Sequence, residues 1–282
     1  MIVWSKNFPT LEKLAGYLRL KRAEAGFFER IGIGRDKKTG KFGIIRVPGY
    51  HEKIAALAGK HRGRRCFVLG NGPSLSKMDL RCLKDEITIG SNGIYRMFDK
   101  MGFKTTYLTM EDMAQVEDRR KELRDVRGVT RLFALYNAYC IPPREDTLFM
   151  NVERDSYPFN KRWSAFYPQF SVDCASVVYL GSTITYINLQ LAFFLGCDPV
   201  YLIGVDHDYG DITDELLPGK VDITPEILEK IQRAHFARDY HKIGGTFGVP
   251  YVEEQEKAYR KALEVYRAYG RSARDASYGA RA

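Results

Sequence analysis

The chain has 282 residues and a formal net charge of +9, with 45% hydrophobic and 28% charged residues. This balance is typical of a globular protein with one large α/β domain, with or without an added arm. We expect neither a membrane span nor a signal peptide. No apolar run approaches about 18 residues, and Lys6, Pro9 and Glu12 interrupt the first segment.

The charge is distributed unevenly along the chain. Residues 1–65 contain 16 Lys and Arg against 5 Asp and Glu, whereas residues 66–256 contain 21 against 28. An acidic central region argues against a nucleic-acid groove. The basic ends are expected to be a solvated surface, and peripheral contact with an anionic inner membrane is the alternative. Five cysteines without a C-x-x-C pair predict reduced thiols in a cytoplasmic protein.

The first 60 residues are predicted to form a basic helical arm, packed on a main domain that covers residues 61–282. Apolar residues at helical spacing favour a helix within 9–31. Glycine and charged residues predict a loop over 32–40. A short strand is expected at 42–47 and a second helix at about 50–60.

From residue 66 onward, predicted strands and helices alternate, which indicates an α/β fold with a Rossmann-like, mainly parallel sheet flanked by helices. A lid is predicted over residues 207–250, with one helix near 225–240, and an ordered aromatic loop is predicted at 153–171. The predicted strands lie at 66–69, 86–92, 106–110, 130–135, 147–152 and 199–206, and the predicted helices at 112–125, 184–196 and 251–269.

A glycine-rich turn, Gly70-Asn71-Gly72-Pro73-Ser74, follows the first of these strands. Its two glycines can take positive φ, and without side chains there an anion can approach the backbone N–H groups. Leu75 stands where a dinucleotide fingerprint has its third glycine, so NAD binding is not supported. The turn predicts a nucleotide-phosphate site, with an ordinary strand-to-helix turn as the alternative.

Three spaced motifs resemble one known family. They are Gly70-Asn-Gly-Pro-Ser-Leu75, Tyr201-Leu-Ile-Gly-Val-Asp206 and His235-Phe-Ala-Arg-Asp-Tyr240. Together they resemble the 6-hydroxymethylpterin diphosphokinase MptE-like family, which is similar in turn to the family 42 bacterial sialyltransferases. The resemblance covers roughly residues 60 to 279 and implies a nucleotide-dependent transferase.

Four predicted strands end in polar residues. Ligands of an open parallel sheet bind beyond the carboxyl ends of its strands, so these residues are expected to line one crevice and bind the nucleotide or donor. The resemblance implies that role for the asparagines at the first two places. The residues are Asn71, Ser91, Asn92, Glu111, Asp112 and Asp206.

Glu111 and Asp112 leave two interpretations open. An acidic residue there caps the following helix, whereas a functional carboxylate accepts a ribose hydroxyl or holds Mg²⁺ beside a phosphate. The sialyltransferases have a non-acidic residue near this place and use no metal. Magnesium is therefore an open alternative, with Asp112 as its ligand.

Ser182 and Thr183 precede a predicted buried helix. Either residue can cap this helix, and a helix N-terminus is also an anion site. The resemblance implies that these residues lie against the donor. The capping role and the donor-binding role are compatible.

Among the five histidines, His235 is predicted to be the general base. Imidazole titrates near neutral pH and can take a proton from an attacking hydroxyl. The resemblance implies this role for a histidine in the lid. The alternative is a structural histidine satisfied by a carbonyl or by Asp239, and His207 and His241 are the next candidates. No spacing suggests a zinc site.

The sequence departs from the family pattern in two places. Gln232-Arg233-Ala234 stands where members have Asp-Pro-Asn. After Asp275 the chain reaches Ala282 without the usual Asn-Ala-Thr-x-Gly-Gly segment and terminal strand. We therefore expect an exposed sheet edge near the end of the chain.

The residues and the resemblance together favour a glycosyltransferase that uses a nucleotide-sugar donor in surface-glycan assembly. The second hypothesis is a Mg²⁺-dependent 6-hydroxymethylpterin diphosphokinase that uses ATP, with aromatic residues of 157–170 stacked on the pterin. The third hypothesis is a non-catalytic scaffold. The acceptor is a glycan under the first hypothesis and a pterin under the second. A homo-oligomer is an open alternative to a monomer.

Overall fold

The computed structural model describes residues 31–35, 42–47, 49–139, 141–153, 167–207, 209, 211–236 and 240–278. The helix predicted within 9–31 therefore lies outside the described residues, apart from residue 31. Most of the aromatic loop predicted at 153–171 lies outside them as well. Among the described helices, none has the length and apolar character that crossing a bilayer requires.

The described part of the N-terminal region is a hairpin of two antiparallel strands, β1 (Ile31–Arg35) and β2 (Phe42–Arg46). The hairpin contacts the turn of 3₁₀ helix at Leu135–Tyr139. The strand predicted at 42–47 is confirmed. The loop predicted at 32–40 is wrong over residues 32–35, because pairing with β2 overrides the weak strand preference of glycine.

The other strands of the described chain follow in order, most of them four or five residues long. Seven form one sheet in the order β13-β10-β3-β4-β5-β6-β7, and every pairing in it is parallel. The strands are β3 (Cys66–Leu69), β4 (Ile87–Ser91), β5 (Tyr107–Met110), β6 (Thr130–Ala134), β7 (Thr147–Met150), β8 (Val152–Glu153), β9 (Val178–Tyr179), β10 (Val200–Ile203), β11 (Gly219–Asp222), β12 (Thr246–Val249) and β13 (Ala273–Asp275).

Helices cover both faces of this sheet, which explains why its inner strands are apolar along their whole length. One helix, α4, is buried along almost its full length between the sheet and α7. The predicted Rossmann-like α/β fold is confirmed. The helices are α1 (Tyr50–Ala55), α2 (Phe98–Met101), α3 (Met113–Asp125), α4 (Ile184–Phe194), α5 (Asp211–Glu215), α6 (Pro225–Ile231) and α7 (Val252–Ala268).

The C-terminal end of the described chain adds a strand to the sheet. β13 pairs in parallel with β10, with Arg274 opposite Tyr201. The N–H of Ala276 donates to the Leu202 carbonyl at 2.8 Å, and the Ser277 hydroxyl accepts from the Val205 N–H at 3.2 Å. The sequence analysis did not predict β13, which covers one edge of β10. The expected loss of a strand beyond residue 279 lies outside the described residues and stays a prediction.

The predicted lid is a small lobe with its own apolar core. The antiparallel strands β11 and β12 pack with α5 and α6 around a buried cluster. The helix predicted near 225–240 ends earlier, since α6 stops at Ile231 and a turn of 3₁₀ helix, Gln232–Ala234, follows. The core of the lobe consists of Ile212, Ile223, Ile231, Phe247 and Val249.

Residues 47–57 contribute to the core of the main domain. Tyr50 is 2% exposed and belongs to the cluster on one face of the sheet. Ile54 is 1% exposed and belongs to the cluster on the other face, together with Leu57. Residues 47–57 of the predicted arm therefore contribute to both apolar clusters of the main domain. One cluster contains residues of α4 and the other contains residues of α3.

We expect Ile54→Ala to lower the free energy of unfolding by about 2–5 kcal/mol, because it leaves a cavity in a packed core. Urea unfolding measures this change. The matched control is Glu52→Ala, whose side chain is exposed and whose effect is expected within about 0.5 kcal/mol. Equal stability of the two variants would show that the segment is a detachable arm.

Candidate active site

The carboxyl ends of β10, β3, β4 and β5 lie side by side, because these strands are neighbours in the sheet. The order of the chain reverses between β3 and β10. The strands that follow β3 extend to one side of it, and β10 returns to the other. Open α/β sheets bind ligands outside such a switch point. The polar residues predicted after these strands are therefore brought to one edge.

Backbone strain is concentrated at this edge. Among the described non-glycine residues, positive φ occurs at Asn92 (51°), Ser182 (60°) and His207 (51°). A non-glycine residue in the left-handed region costs on the order of 1–3 kcal/mol and persists only where the surroundings enforce it. Asn92 follows β4, His207 follows β10, and Ser182 stands just before α4. Strain of this kind is typical of functional sites.

The glycine-rich turn uses its N–H groups inside the protein. The Gly70 N–H donates to the Ile203 carbonyl at 2.8 Å, and the Gly72 N–H donates to the Gly204 carbonyl at 2.9 Å. Neither glycine adopts positive φ. A Cβ at Gly72 would instead lie 2.5 Å from Asp206 Oδ2. The expected cradle of free N–H groups is wrong at both positions, where glycine is required for close approach.

Asp206 occupies the side of this turn where an anion was expected. Its Oδ2 accepts from the Ser74 N–H at 2.7 Å, and its Oδ1 accepts from the Ser74 hydroxyl. Pro73 begins the 3₁₀ helix Pro73–Lys77, which carries Ser74. These charge-assisted bonds join the loop after β10 to the turn after β3. The donor-binding role of the turn stays a prediction, and the role of Asp206 here is to position it.

Gly72→Ala should destabilise the protein by about 1–3 kcal/mol, because the added methyl group overlaps Asp206 and the Gly204 carbonyl. The fold is thus not expected to tolerate a larger residue at this turn. Urea unfolding provides the measurement. Gly248→Ala is the control, since a Cβ there meets nothing within 4 Å. A Gly72→Ala variant as stable as that control would contradict the close-approach explanation.

Asn71 connects the ends of β3 and β4 to the lid. Its Nδ2 donates to the Ser91 carbonyl at 3.2 Å, and its carbonyl accepts from the Phe236 N–H at 3.0 Å. Its Oδ1 is buried and has no hydrogen-bond partner among the described residues. A buried acceptor without a partner calls for an explanation, and a ligand donor is one. Asn71 and the strained Asn92 therefore lie where the donor was predicted.

Glu111 and Asp112 both bond within the protein. Asp112 Oδ1 accepts from the Gln115 N–H at 3.0 Å and caps α3, so the capping interpretation is confirmed. Glu111 turns the other way and accepts a hydrogen bond from the Tyr136 hydroxyl. Its carbonyl accepts from Asn137 Nδ2 at 2.8 Å. The two carboxylates thus point to different neighbours.

The carboxylates at this edge already hold structural contacts. Asp112 caps a helix, Glu111 bonds to Tyr136, and Asp206 bonds to Ser74. No group of three or more His, Cys, Asp or Glu side chains among the described residues is arranged to hold a metal. A nucleotide-bound Mg²⁺ needs only one or two carboxylates, and carboxylates that ligate metals also accept hydrogen bonds, so magnesium with Asp112 as its ligand stays a prediction.

Ser182 and Thr183 are linked to the end of β10 through α7. Thr183 caps α4, since its hydroxyl oxygen accepts from the Thr185 N–H at 3.3 Å, as predicted. The Ser182 carbonyl accepts from Gln255 Nε2 at 3.1 Å, and Gln255 Oε1 accepts from the Tyr209 hydroxyl at 3.3 Å. The N-terminus of α4 therefore lies next to the Asp206–Tyr209 loop.

His235 is packed inside the lid. Its ring stacks on Tyr240 with centroids 4.3 Å apart, and it meets the His241 ring edge-to-face with centroids 4.7 Å apart. Its Nδ1 is 3.1 Å from the Ile231 carbonyl, which assigns the proton to Nδ1. Burial lowers the pKa of His235 to about 4. The expected titration near neutral pH is therefore wrong, whereas its role as a base stays a prediction.

The lid closes on Arg119, a residue of α3 that the sequence analysis did not single out. Its side chain is 7% exposed. Its Nη2 donates to the Tyr240 carbonyl at 2.9 Å, and its guanidinium lies 4.6 Å from the Tyr240 ring centroid. Its Nη1 is buried without a hydrogen-bond partner among the described residues. The guanidinium is therefore only partly satisfied in the closed lid.

The sequences of α3 and α7 contain a pattern that could have identified Arg119 and Gln255, which the sequence analysis did not single out. Val116, Arg119 and Leu123 are the buried residues of α3, and their spacing is helical, so a charged residue occupies the apolar stripe. Gln255 similarly precedes Ala258 on the buried stripe of α7. A polar residue at an apolar position of a helix predicts an internal partner or a ligand.

Lowering the pH should open the lid. Burial, followed by the charge of its neighbour His235, lowers the pKa of His241 to about 3, and that of His235 is about 4, against about 6.5 in an unfolded chain. The unfolded lid therefore binds more protons between these values. Stability is complete above about pH 6.5 and falls as the pH drops toward 4.

We expect a loss of about 4 kcal/mol between pH 7.5 and 5, with about 2 kcal/mol from each histidine. Hydrogen exchange of residues 211–236 and 240–250 at the two pH values measures it. The control is the double variant His235→Phe/His241→Phe, which keeps aromatic rings without titrating. The same pH response in this variant would assign the loss to other groups.

Comparisons with known proteins identify the family of this chain. A model of the 6-hydroxymethylpterin diphosphokinase MptE-like family matches residues 47–211. The chain belongs to this family. The resemblance predicted from its motifs is thereby confirmed. No curated protein matches the sequence of this MptE-like chain.

One solved structure similar to this MptE-like protein is the MAf glycosyltransferase from Magnetospirillum magneticum AMB-1. The two are 15% identical and superpose with a TM-score of 0.45. The alignment covers 81% of this chain and 36% of the glycosyltransferase, so this chain spans about a third of that protein's length.

Proposed function

We propose that this MptE-like protein transfers a group from a nucleotide donor to an acceptor hydroxyl at the carboxyl edge of its sheet. The observation that carries the proposal is the convergence there of Asn92, Ser182 and His207, the described non-glycine residues with left-handed φ. Three such positions at a topological switch point are best explained by a ligand that uses them.

The donor is proposed to lie between the ends of β3 and β4 and the N-terminus of α4. Asn71 and Asn92 then contact the nucleotide, and Ser182 and Thr183 lie against its phosphate, where the helix dipole favours negative charge. Arg119 supplies a positive charge beneath the lid. Its Nη1 has no hydrogen-bond partner among the described residues, and guanidinium groups bind phosphate oxygens well.

A glycosyl group from a nucleotide sugar is the first candidate for transfer. Pyrophosphoryl transfer uses Mg²⁺ held by carboxylates together with substrate phosphates, and the carboxylates at this edge are bonded to Ser74, Tyr136 and the start of α3. Glycosyl transfer can proceed with hydrogen-bond donors and a base alone. The second candidate is pyrophosphoryl transfer to a pterin, which the family's name favours.

The lid supports transfer over hydrolysis in this proposal. It closes over the edge through Phe236 on Asn71 and through Tyr240, whose oxygen accepts from the Gly93 N–H at 3.1 Å. Excluding water protects a reactive donor. A glycan acceptor built at an inner membrane surface, with the protein on the cytoplasmic side, fits the basic charge of its N-terminal region.

The test is a binding and turnover screen of CMP, UDP, GDP and ATP donors, with and without Mg²⁺. We expect one nucleotide sugar to bind and turn over without metal. Arg119→Gln should weaken its binding at least about 10-fold, while the control Arg96→Gln, which removes a cation already paired with Glu122 at 2.9 Å, should change it less than about 3-fold.

The other outcomes separate the alternatives. Turnover of ATP with a pterin acceptor, dependent on Mg²⁺, would favour the diphosphokinase. Binding of a nucleotide without turnover of any donor would favour a non-catalytic scaffold. An absence of binding to any nucleotide would contradict the proposal.

A further inference from the structure

We infer that His207, rather than His235, is the general base that takes the proton from the acceptor hydroxyl. The inference rests on the proposed transferase function and adds to it the residue that handles the proton. It is based on the loop after β10, where the backbone of His207 is left-handed and its ring nitrogens lack hydrogen-bond partners among the described residues.

The backbone of His207 is held in the left-handed region, with φ at 51°. The adjacent Asp206 enforces this turn, because its carboxylate is fixed by two hydrogen bonds from Ser74. Glycine adopts this conformation without steric cost, and histidine is, with asparagine and aspartate, among the other residues most often found in it. The role of His207 therefore depends on the surroundings of its side chain.

The imidazole of His207 lacks hydrogen-bond partners. Both ring nitrogens are buried and neither has a partner among the described residues. The carboxylate of Glu256 lies 3.8 Å from Nε2, which is beyond hydrogen-bond distance. Buried polar atoms without partners are rare and costly in native proteins. The ring therefore retains unused hydrogen-bonding capacity, which the acceptor hydroxyl is proposed to fill.

The surroundings of His207 suit a base. Tyr209 and Tyr259 meet the imidazole edge-on, with centroids 6.2 Å and 5.8 Å away. Tyr209 in turn bonds to Gln255, which holds the carbonyl of the strained Ser182. The base and the N-terminus of α4 thus lie on one connected set of contacts, next to the proposed donor phosphate.

His235 differs from His207 in each of these respects. Its ring stacks on Tyr240 and its Nδ1 faces the Ile231 carbonyl. Its backbone is extended, with φ at −132°. These contacts describe a side chain that holds the lid together. A residue already engaged on its face and at one nitrogen is less available for proton transfer than His207.

The proposed step balances without a further reagent. The acceptor O–H bond breaks and its proton moves to a ring nitrogen of His207, while the acceptor oxygen forms a bond to the anomeric carbon of the donor. The bond from that carbon to the nucleotide phosphate oxygen breaks, and its electron pair stays on the phosphate. Glu256, whose Oε1 lies 3.8 Å from Nε2, places a negative charge near the imidazolium that results.

The experiment compares the same substitution at two histidines in the full-length protein. His207→Asn should lower kcat with the identified donor by about 10²–10⁴-fold, with the Kd of the donor changed less than about 3-fold. Its melting temperature should equal that of the wild type or exceed it by about 1–4 °C, because asparagine accepts the left-handed backbone more easily.

His235→Asn should show the opposite signature, with a lower melting temperature and kcat reduced less than about 10-fold. The pH profile of kcat adds a second readout. The rising limb of the wild type should be absent in His207→Asn and retained in His235→Asn. His61→Asn, which removes a side chain bonded to Tyr107 at 2.8 Å, controls for the loss of any half-buried histidine.

Three results would overturn the inference. His207→Asn could retain turnover while the wild type is active, it could melt well below the wild type, or His235→Asn could lose the rising limb instead. A wild-type protein that turns over no donor contradicts the proposed function itself, and the base is then withdrawn with it. If only the assignment of the base to His207 is wrong, the wild-type protein still binds and turns over the donor, and the proposed function stands.

Discussion

The bond between Asp206 and Ser74 is the constraint on which the carboxyl edge depends. These residues are 132 positions apart, and their contact fixes the loop after β10 against the turn after β3 at the switch point of the sheet. It forms only because Gly72 has no Cβ in the way. With this turn fixed, the Asn71 carbonyl accepts a hydrogen bond from the Phe236 N–H, which attaches the lid to the edge of the sheet.

The same edge holds strain and unsatisfied polar atoms that a purely structural protein would have no reason to keep. Left-handed φ at Asn92, Ser182 and His207 costs free energy that closer packing does not return. The buried nitrogens of His207 and Nη1 of Arg119 have no hydrogen-bond partner among the described residues, and a buried polar group without one costs about 1–3 kcal/mol. Proteins commonly give up stability at the place where a ligand binds, and the proposed donor site lies at the switch point.

The fold was largely predictable because its signals are local. Short apolar runs such as Cys66–Leu69 mark strands buried on both faces, and the alternation of strands with helices specifies parallel pairing. Several short strands were not predicted, among them β9, β11 and β12 within the chain and β1 and β13 near its ends. β1 contains two glycines, and β13 is the short segment Ala273–Asp275. Neither has a strand signal of its own, so only pairing with β2 and β10 makes them strands.

The sequence by itself determined that the polar residues after β3, β4, β5 and β10 meet, because polar residues that end parallel strands must share one edge. It also determined the caps Asp112 and Thr183, which bond within two or three residues. Only the tertiary structure decided what those residues do. Asp206 fills the turn, and burial in the closed lid lowers the pKa of His235 to about 4. Close approach and loss of solvent depend on segments far apart in the chain, and no local pattern encodes them.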